Sequence, residues 1–201
     1  MTTMEALLIA KDKTTTAEVL HGLIEDADGF VLLQVAAHPN TSTETLDILA
    51  KNENDIVRQF VAEHFNTSVE TLVMLSEDTH IASWVAGNPN APAEVIHRLS
   101  KDEDVFIRIS ISVNPNVTMG ILYSLSKDED IFTRISVSVN PNVTMGILYS
   151  LSKDEDENVR AAVAKNPKLS LDILKTLAKD ENEDVREVVA EHPKMMAANK
   201  D

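Results

Sequence analysis

Apolar residues recur along the chain in a stripe at positions i, i+1, i+4 and i+5. Leu46 and Leu49 belong to one such stripe, each with a small or hydroxyl-bearing neighbour. Positions with this spacing share one face of an α-helix, so the stripe predicts a helix with a single buried face. Thr41, with Glu44 three residues later, predicts a capping box at the start of this helix.

A second apolar pattern follows each stripe. Val57 and Val61 lie one helical turn apart and predict the buried edge of a second helix. In most units an Asn-Pro or His-Pro step ends this helix, because proline breaks the hydrogen-bond ladder and the residue before it avoids the α region. A small residue precedes that step in every unit, which is typical of closely packed helices: Ala62, Ala86, Ser112, Ser138, Ala164 and Ala190.

The two helices form a unit that repeats about every 26 residues. Fixed self-similarity of this length is typical of an α-solenoid. We therefore predict an all-α solenoid of about seven two-helix repeats, in a single domain over residues 1–201. An N-terminal cap is expected at residues 1–11 and a C-terminal cap or tail at residues 192–201. The repeats begin near residues 12, 38, 64, 88, 114, 140 and 166.

One local pattern conflicts with this prediction. Residues 113–130 and 139–156 are identical, which indicates a recent duplication. Over residues 106–113 and 132–139, β-branched residues alternate with polar ones, and this alternation alone predicts a strand. Both segments stand in register with residues 158–164, which carry the helical pattern. Because the repeat context is the stronger signal, we predict helices there.

Composition narrows the classes of function. A formal net charge of −15 opposes binding to nucleic-acid backbones, which requires clustered Lys and Arg. The chain has no cysteine, so disulfides, thiolate nucleophiles and Cys-ligated zinc or iron–sulfur clusters are excluded. The first apolar run is too short for a signal peptide or a membrane span. We expect a cytoplasmic protein that contacts neither nucleic acid nor membrane.

No catalytic motif is recognisable. His38, His64 and His192 stand where other units have a turn asparagine, and replacement of that asparagine is the favoured interpretation. The remaining histidines show no HExxH spacing and no triad context, and the five glycines form neither a GxGxxG nor a Walker pattern. We predict that the protein is not an enzyme and that it holds no cofactor and no metal.

The repeat resembles a known family. Each unit reads Asn-Pro, then Leu-x-x-Leu-Ala/Ser, then Asp, then Val/Ile-Arg-x-x-Val-Ala. This pattern is similar to that of the leucine-rich repeat variant family, a relative in style of HEAT repeats, and it covers nearly the whole chain. The resemblance implies a right-handed superhelix of longer α-helices alternating with shorter, sometimes 3₁₀-like ones, so the second helix is expected to be short. It implies no catalytic residue.

An acidic loop joins the two helices of each unit. We expect its Asp and Asn residues to cap the second helix and to favour its positive end, each contributing about 1 kcal/mol. The alternative is that stacked loops form an acidic edge that binds a basic partner or, weakly, a cation. The residues of this acidic edge are Asp102, Asp104, Asp128, Asp130, Asp154 and Asp156.

An arginine follows the loop in five units. We expect each arginine to pair with the loop acid of the preceding unit, in partly exposed ion pairs that hold adjacent units in register. An anion-binding groove is the alternative. The arginine column comprises Arg58, Arg108, Arg134, Arg160 and Arg186.

An apolar patch is predicted on the outer face of the second helix. With Val57 and Val61 directed inward at 100° per residue, positions 59 and 63 fall on the opposite side. Exposed apolar patches often mark interfaces, and the alternative is that these helices are covered on both sides. Two adjacent units have apolar residues in these otherwise mainly polar columns: Ile109, Val113, Ile135 and Val139.

Three hypotheses about function follow. The leading one is a non-enzymatic interaction module that binds another protein through the apolar patch, the acidic edge or both. A basic protein is one candidate partner. The second is a self-assembling structural protein that forms a homo-oligomer. The third is an enzyme or accessory subunit of helical-repeat type, for which the sequence offers no catalytic groove.

Overall fold

The computed structural model describes residues 1–25 and 27–198, and within them the chain forms sixteen α-helices and no strand. The helices group into two compact units, Met1–Leu99 and Ser100–Asp201. Each of these larger units comprises several of the 26-residue repeats. No helix of the described part is long and apolar enough to cross a membrane. The all-α helical-repeat fold predicted from the sequence is confirmed.

Each unit contains eight helices. The first unit has α1 (Thr3–Lys11), α2 (Ala17–Leu23), α3 (Gly29–Ala37), α4 (Thr43–Leu49), α5 (Asp55–Glu63), α6 (Val69–Leu75), α7 (Ala82–Gly87) and α8 (Ala93–Leu99). The second unit has α9 (Val105–Val113), α10 (Met119–Leu125), α11 (Ile131–Val139), α12 (Met145–Leu151), α13 (Glu157–Ala164), α14 (Leu171–Leu177), α15 (Glu183–Ala190) and α16 (Pro193–Ala198).

The first helix of each repeat is seven residues long, and in every repeat except that of α8, which follows Pro92, it begins after a Ser or Thr cap. The hydroxyl of Ser42 accepts a hydrogen bond from the backbone N–H of Thr45 at 3.3 Å and starts α4. The predicted cap at Thr41 is therefore wrong by one residue. Thr41 is buried, and its hydroxyl instead donates to the Val35 carbonyl at 2.5 Å, which joins α4 to the preceding helix.

Except in α7, which has six residues, the second helix of each repeat is the longer of the two, in contrast to the expectation of a short, 3₁₀-like helix. It is α-helical and runs for nine residues in α9 and α11. Apart from α7, which has no side-chain cap, it begins directly after an Asp or Asn cap, as where Asp104 accepts from the Phe106 N–H at 2.8 Å. It ends only where the residue before proline turns extended, with ψ 127° at Asn114. The helices predicted over residues 106–113 and 132–139 are confirmed.

The core of each unit is a series of thin apolar layers. In the second unit Leu122, Leu148 and Leu174 of the first helices are fully buried. Consecutive second helices pack on each other, α9 on α11, α11 on α13 and α13 on α15. The small residues predicted at close helix contacts are buried at Ser112, Ser138 and Ala164. One face of each second helix stays outside this packing, as Phe132 and Val139 of α11 do, and that face determines what the surface presents.

Candidate functional site

A column of buried asparagine and histidine side chains links successive repeats. Asn140 donates from Nδ2 to the carbonyls of Ser112 at 2.7 Å and Asn114 at 3.1 Å. Its Oδ1 accepts from the backbone N–H of Asn142 at 2.7 Å. One side chain thus satisfies three backbone groups that span two repeats. We refer to these residues as the Asn/His ladder: His38, His64, Asn88, Asn114, Asn140, Asn166 and His192.

Histidine reproduces two of the three asparagine bonds in this ladder. Nε2 of His64 donates to the His38 carbonyl at 2.9 Å, and Nδ1 accepts from the Asn66 N–H at 3.0 Å. His38 and His192 make the equivalent pair of bonds. The interpretation that these histidines replace a turn asparagine is confirmed. Both ring nitrogens are occupied, and the pattern fixes the neutral ring with its proton on Nε2.

A His64→Asn variant should weaken the acid sensitivity of the protein. Burial lowers the pKa of His64 from its ordinary value of 6.5. The unfolded chain therefore binds a proton before the folded one does, and the contribution of neutral His64 is fully present above pH 6.5 and is lost as the pH falls. The variant should avoid this loss, which grows by at most about 1.4 kcal/mol per pH unit and only between pH 6.5 and the lowered pKa of folded His64.

The measurement is urea-induced unfolding, followed by circular dichroism above and below the ordinary histidine pKa. Wild type and variant should agree in neutral solution, since Asn88 and Asn140 make both bonds that His64 makes, together with one more. Parallel pH dependences of the two proteins would contradict the assignment.

The arginines of the column bond in two directions. Nη1 of Arg134 donates to the Asp128 and Glu129 carbonyls of its own loop at 2.8 and 3.2 Å. Nε and Nη2 bind both carboxylate oxygens of Asp154 at 2.8 and 3.0 Å. The predicted pairing with the loop acid of the preceding repeat is wrong, because Asp154 belongs to the loop of the following repeat. The arginine lies in the first turn of its helix, so part of its guanidinium reaches back to its own loop and the rest meets the next one.

These ion pairs are more buried than expected. The side chains of Arg108, Arg134 and Arg160 are 8–11% exposed, as are their acids, while Arg58 and Asp78 are more accessible. A hydrogen bond from Arg160 lowers the pKa of Asp180 and, in turn, raises the pKa of Arg160. Within the described residues Arg186 donates only to the carbonyls of its own loop. The proposed role of the column in holding register stays a prediction.

The acidic edge is divided by these contacts into bonded and exposed charges. Asp104, Asp130 and Asp156 cap their helices, as predicted. Asp102, Asp128 and Asp154 each accept from a backbone N–H two residues on, at 3.0 Å, and the last two also hold arginines. Among the described residues no group of acids and histidines is arranged to hold a metal ion. The rest of the negative charge lies on exposed glutamates, and two of them approach an arginine, Glu129 at 4.0 Å from Arg108 and Glu181 at 3.8 Å from Arg160. The exposed glutamates of this edge are Glu103, Glu129, Glu155 and Glu181.

The predicted apolar patch is exposed and is larger than the sequence indicated. Val113 is 46% exposed and Val139 is 56% exposed, while Ile109 and Ile135 are half-buried. The sequence reasoning missed Phe106 and Phe132, which are 69% and 60% exposed. Each phenylalanine stands three residues before the isoleucine, so helical geometry puts all three side chains of a helix on one face. We name this surface the α9–α11 face: Phe106, Ile109, Val113, Phe132, Ile135 and Val139.

The apolar character stops at the next repeat of the same unit. The corresponding positions of α13 are Asn158, Ala161 and Lys165, and those of α15 are Asp184, Glu187 and Glu191. The alternative that α9 and α11 are covered on both sides does not hold for the phenylalanines and valines. Two adjacent repeats therefore differ from their neighbours on the surface while they share the same core.

A second strip of large side chains lies on the first helices of the same repeats. Met119 and Tyr123 of α10 are exposed, and so are their copies in α12. Lys127 lies 4.0 Å from the centre of the Tyr123 ring and donates to its hydroxyl, and Lys153 does the same at Tyr149. Such cation–π contacts contribute about 0.5–1 kcal/mol at exposed sites. Each tyrosine thus already has a partner in its own repeat, unlike the phenylalanines of the α9–α11 face.

Comparisons with known proteins bear on the fold. Neither a family model nor a curated protein matches the chain. Among solved structures, the chain is similar to a leucine-rich repeat variant with a novel repetitive structural motif, at a TM-score of 0.61 and 24% identity. The match covers 94% of this chain and 80% of that one. The chain therefore has the helical-repeat fold of the leucine-rich repeat variant, in agreement with the resemblance seen in its repeat pattern.

Proposed function

We propose that this protein is a non-enzymatic binding module that engages another protein through the α9–α11 face. The observation that supports the proposal is the exposure of two phenylalanines and two valines in columns that are polar in α13 and α15. Exposed aromatic side chains carry a large part of the energy of interfaces, and burying one contributes about 1.5–3 kcal/mol. We place this binding role in the cytoplasm, as the sequence analysis expects.

The size of the face fits the centre of an interface. From the exposed fractions of its six side chains, its apolar area is on the order of 400 Å². A stable interface covers about 800 Å² on each partner, with an apolar centre and a polar rim. The α9–α11 face supplies such a centre, and the surrounding loops supply polar groups for the rim.

A triple variant of α11 tests the proposal without disturbing the core. Phe132→Asn, Ile135→Ala and Val139→Lys copy the residues that α13 carries at the same positions. The free energy of unfolding should change by less than about 1 kcal/mol, since two of these side chains are exposed and the third is half-buried. Capture of partner proteins from native lysate, quantified by mass spectrometry, should fall at least about tenfold, which is 1.4 kcal/mol.

The matched control is the same set of residues placed on α15. Asp184→Asn, Glu187→Ala and Glu191→Lys introduce identical side chains at the corresponding polar positions. This control should capture the same partners as the wild type. If the α11 and α15 variants behave alike, the α9–α11 face is not the binding surface.

A further inference from the structure

We infer that the occupant of the α9–α11 face is an amphipathic helix of a partner protein, with Lys or Arg residues at the end that lies over the acidic loops. The inference rests on the proposed function and adds the shape and charge of the partner. Three observations carry it: the two parallel rows of apolar side chains, the exposed glutamates at one end of those rows, and the absence of acidic side chains in the turns at the other end.

The shape follows from the repeat. Helices α9 and α11 occupy equivalent positions in consecutive repeats and pack on each other, so they run parallel at about 8–10 Å. Each presents Phe, Ile and Val at i, i+3 and i+7, a row about 10 Å long. Two such rows border a groove that matches one apolar ridge of a helix, whose anchors recur at i, i+3 or i+4, and i+7.

The charge at the phenylalanine end is negative because the arginines of that region are already used. Arg108 and Arg134 bind Asp128 and Asp154, so these acids contribute little net charge to the surface. The adjacent Glu129 approaches Nη2 of Arg108 only to 4.0 Å, and 93% of its side chain stays exposed. Lys127 of the same loop lies over the Tyr123 ring of α10. The net charge that remains at this end of the groove comes from the exposed loop glutamates: Glu103, Glu129 and Glu155.

The turns at the opposite end of the groove carry no acidic side chain. Val113 and Val139 are each followed by an Asn-Pro-Asn turn, and Lys168 donates to the Pro141 carbonyl of the second turn. The face is therefore acidic at the phenylalanine end and basic at the valine end, which sets the direction of a partner helix with one basic end. Opposite charges across an interface increase the association rate and fix the register of the partner.

Charge also decides against a second copy of this chain as the occupant. The chain has a net charge of −15, so two copies joined through this face would bring two strongly acidic proteins together. Like charges brought together at an interface are unfavourable, so self-association through the face is opposed where a basic partner is attracted.

A random 16-residue peptide library displayed on phage provides the probe. The library is selected on the full chain at low salt and counter-selected on the Phe132→Asn, Ile135→Ala, Val139→Lys variant. Enriched peptides should place apolar residues at helical spacing and at least two Lys or Arg residues at one end. A synthetic peptide of that sequence should bind at least tenfold more weakly to the α11 variant and equally well to the α15 control.

The charge is tested separately with Glu103→Gln, Glu129→Gln and Glu155→Gln combined. This variant should bind the peptide several-fold more weakly at low salt and should lose most of the salt dependence of the wild type. Enriched peptides that need the face but lack basic residues would overturn the inference and leave the proposed function intact. Peptides that bind the α11 variant equally well, or no enrichment at all, would overturn both. A wild-type dimer that the α11 variant fails to form would identify a second copy as the occupant and overturn the inference.

Discussion

Replacing Arg160 with alanine should lower the free energy of unfolding by about 3–5 kcal/mol, because removal of one partner leaves a buried charge uncompensated. Arg160 binds both carboxylate oxygens of Asp180, at 2.8 and 2.9 Å, and both side chains are at most 9% exposed. The same guanidinium donates to two carbonyls of its own loop. The substitution therefore removes the bond between two repeats and one cap within a repeat.

Arg186→Ala in the next repeat is the matched control. Arg186 makes the same two bonds to its own loop, at 2.7 and 2.8 Å, but within the described residues it holds no acid. Its loss should cost about 1–2 kcal/mol, the contribution of the loop bonds alone. The measurement is chemical unfolding of both variants against wild type, followed by circular dichroism. Equal losses for the two variants would show that the ion pair adds nothing beyond the loop bonds.

Acid should reduce the difference between Arg160→Ala and wild type. The hydrogen bond from Arg160 lowers the pKa of Asp180 below its ordinary value of 3.8. The stabilisation by the pair is therefore fully present above pH 3.8 and is lost as the pH falls through the lowered pKa. Unfolding measured in this acid range should give the variant and the wild type increasingly similar stabilities.

Replacing Asn140 with alanine should cost about 2–4 kcal/mol, because it removes three hydrogen bonds at a buried position and a buried polar group left without a partner costs about 1–3 kcal/mol. The bonds lost are those to the carbonyls of Ser112 and Asn114 and that from the N–H of Asn142. The Asn114 carbonyl keeps the Val117 N–H as a donor, so its loss is smaller. Alanine also leaves a space at a position that is 1% exposed. The free energy of unfolding of this variant, measured in urea at neutral pH, checks the expectation.

Asn140→His is the informative comparison for this position. Histidine already stands at three positions of the ladder, and at His64 it bonds the carbonyl 26 residues earlier and the N–H two residues later. The histidine variant should therefore lose less than half of what the alanine variant loses. A histidine variant as unstable as the alanine variant would show that the ladder depends on the second donor bond of asparagine.

Much of the fold could be predicted from the sequence because the repeat averages out local ambiguity. The strand-like alternation at residues 106–113 is misleading alone, since Ser110 and Ser112 interrupt an apolar run. Alignment of this segment with the other repeats predicts a helix instead of a strand, and α9 is a helix. The position of single caps could not be predicted as well. Thr41 and Ser42 are both good caps by residue type, and only packing shows that Thr41 is committed to the Val35 carbonyl.

The contacts between repeats were the part that the sequence could not decide. An arginine and an acid in every repeat are compatible with pairing forwards or backwards, because both partners recur with the same period. The structure shows pairing forwards, over 20 residues in each case. The burial of these pairs was also missed, since charged loops usually remain in water. The caps predicted at Asp104 and Asp130 are confirmed, because a helix cap depends only on residues that are close together in the sequence.

The extent of the α9–α11 face was within reach of the sequence. Its valine and isoleucine columns were found from helical geometry, whereas Phe106 and Phe132 were counted only as part of the strand-like run. One further step of the same geometry, three residues toward the helix start, places them beside Ile109 and Ile135. The binding role of the face remains a prediction until its partner is tested.

The constant separation of bonded partners makes the number of repeats adjustable. Arginine meets its acid 20 residues on, and the ladder asparagine or histidine meets a carbonyl 26 residues back, wherever these bonds recur in the second unit. Insertion of one more copy of residues 113–138 would reproduce every such bond and leave no buried charge unmatched. It would also add a third row of Phe, Ile and Val side chains beside the existing two. With the binding role proposed for the α9–α11 face, the number of repeats would set the affinity for the partner. Gene duplication could then strengthen binding without any new kind of side-chain contact.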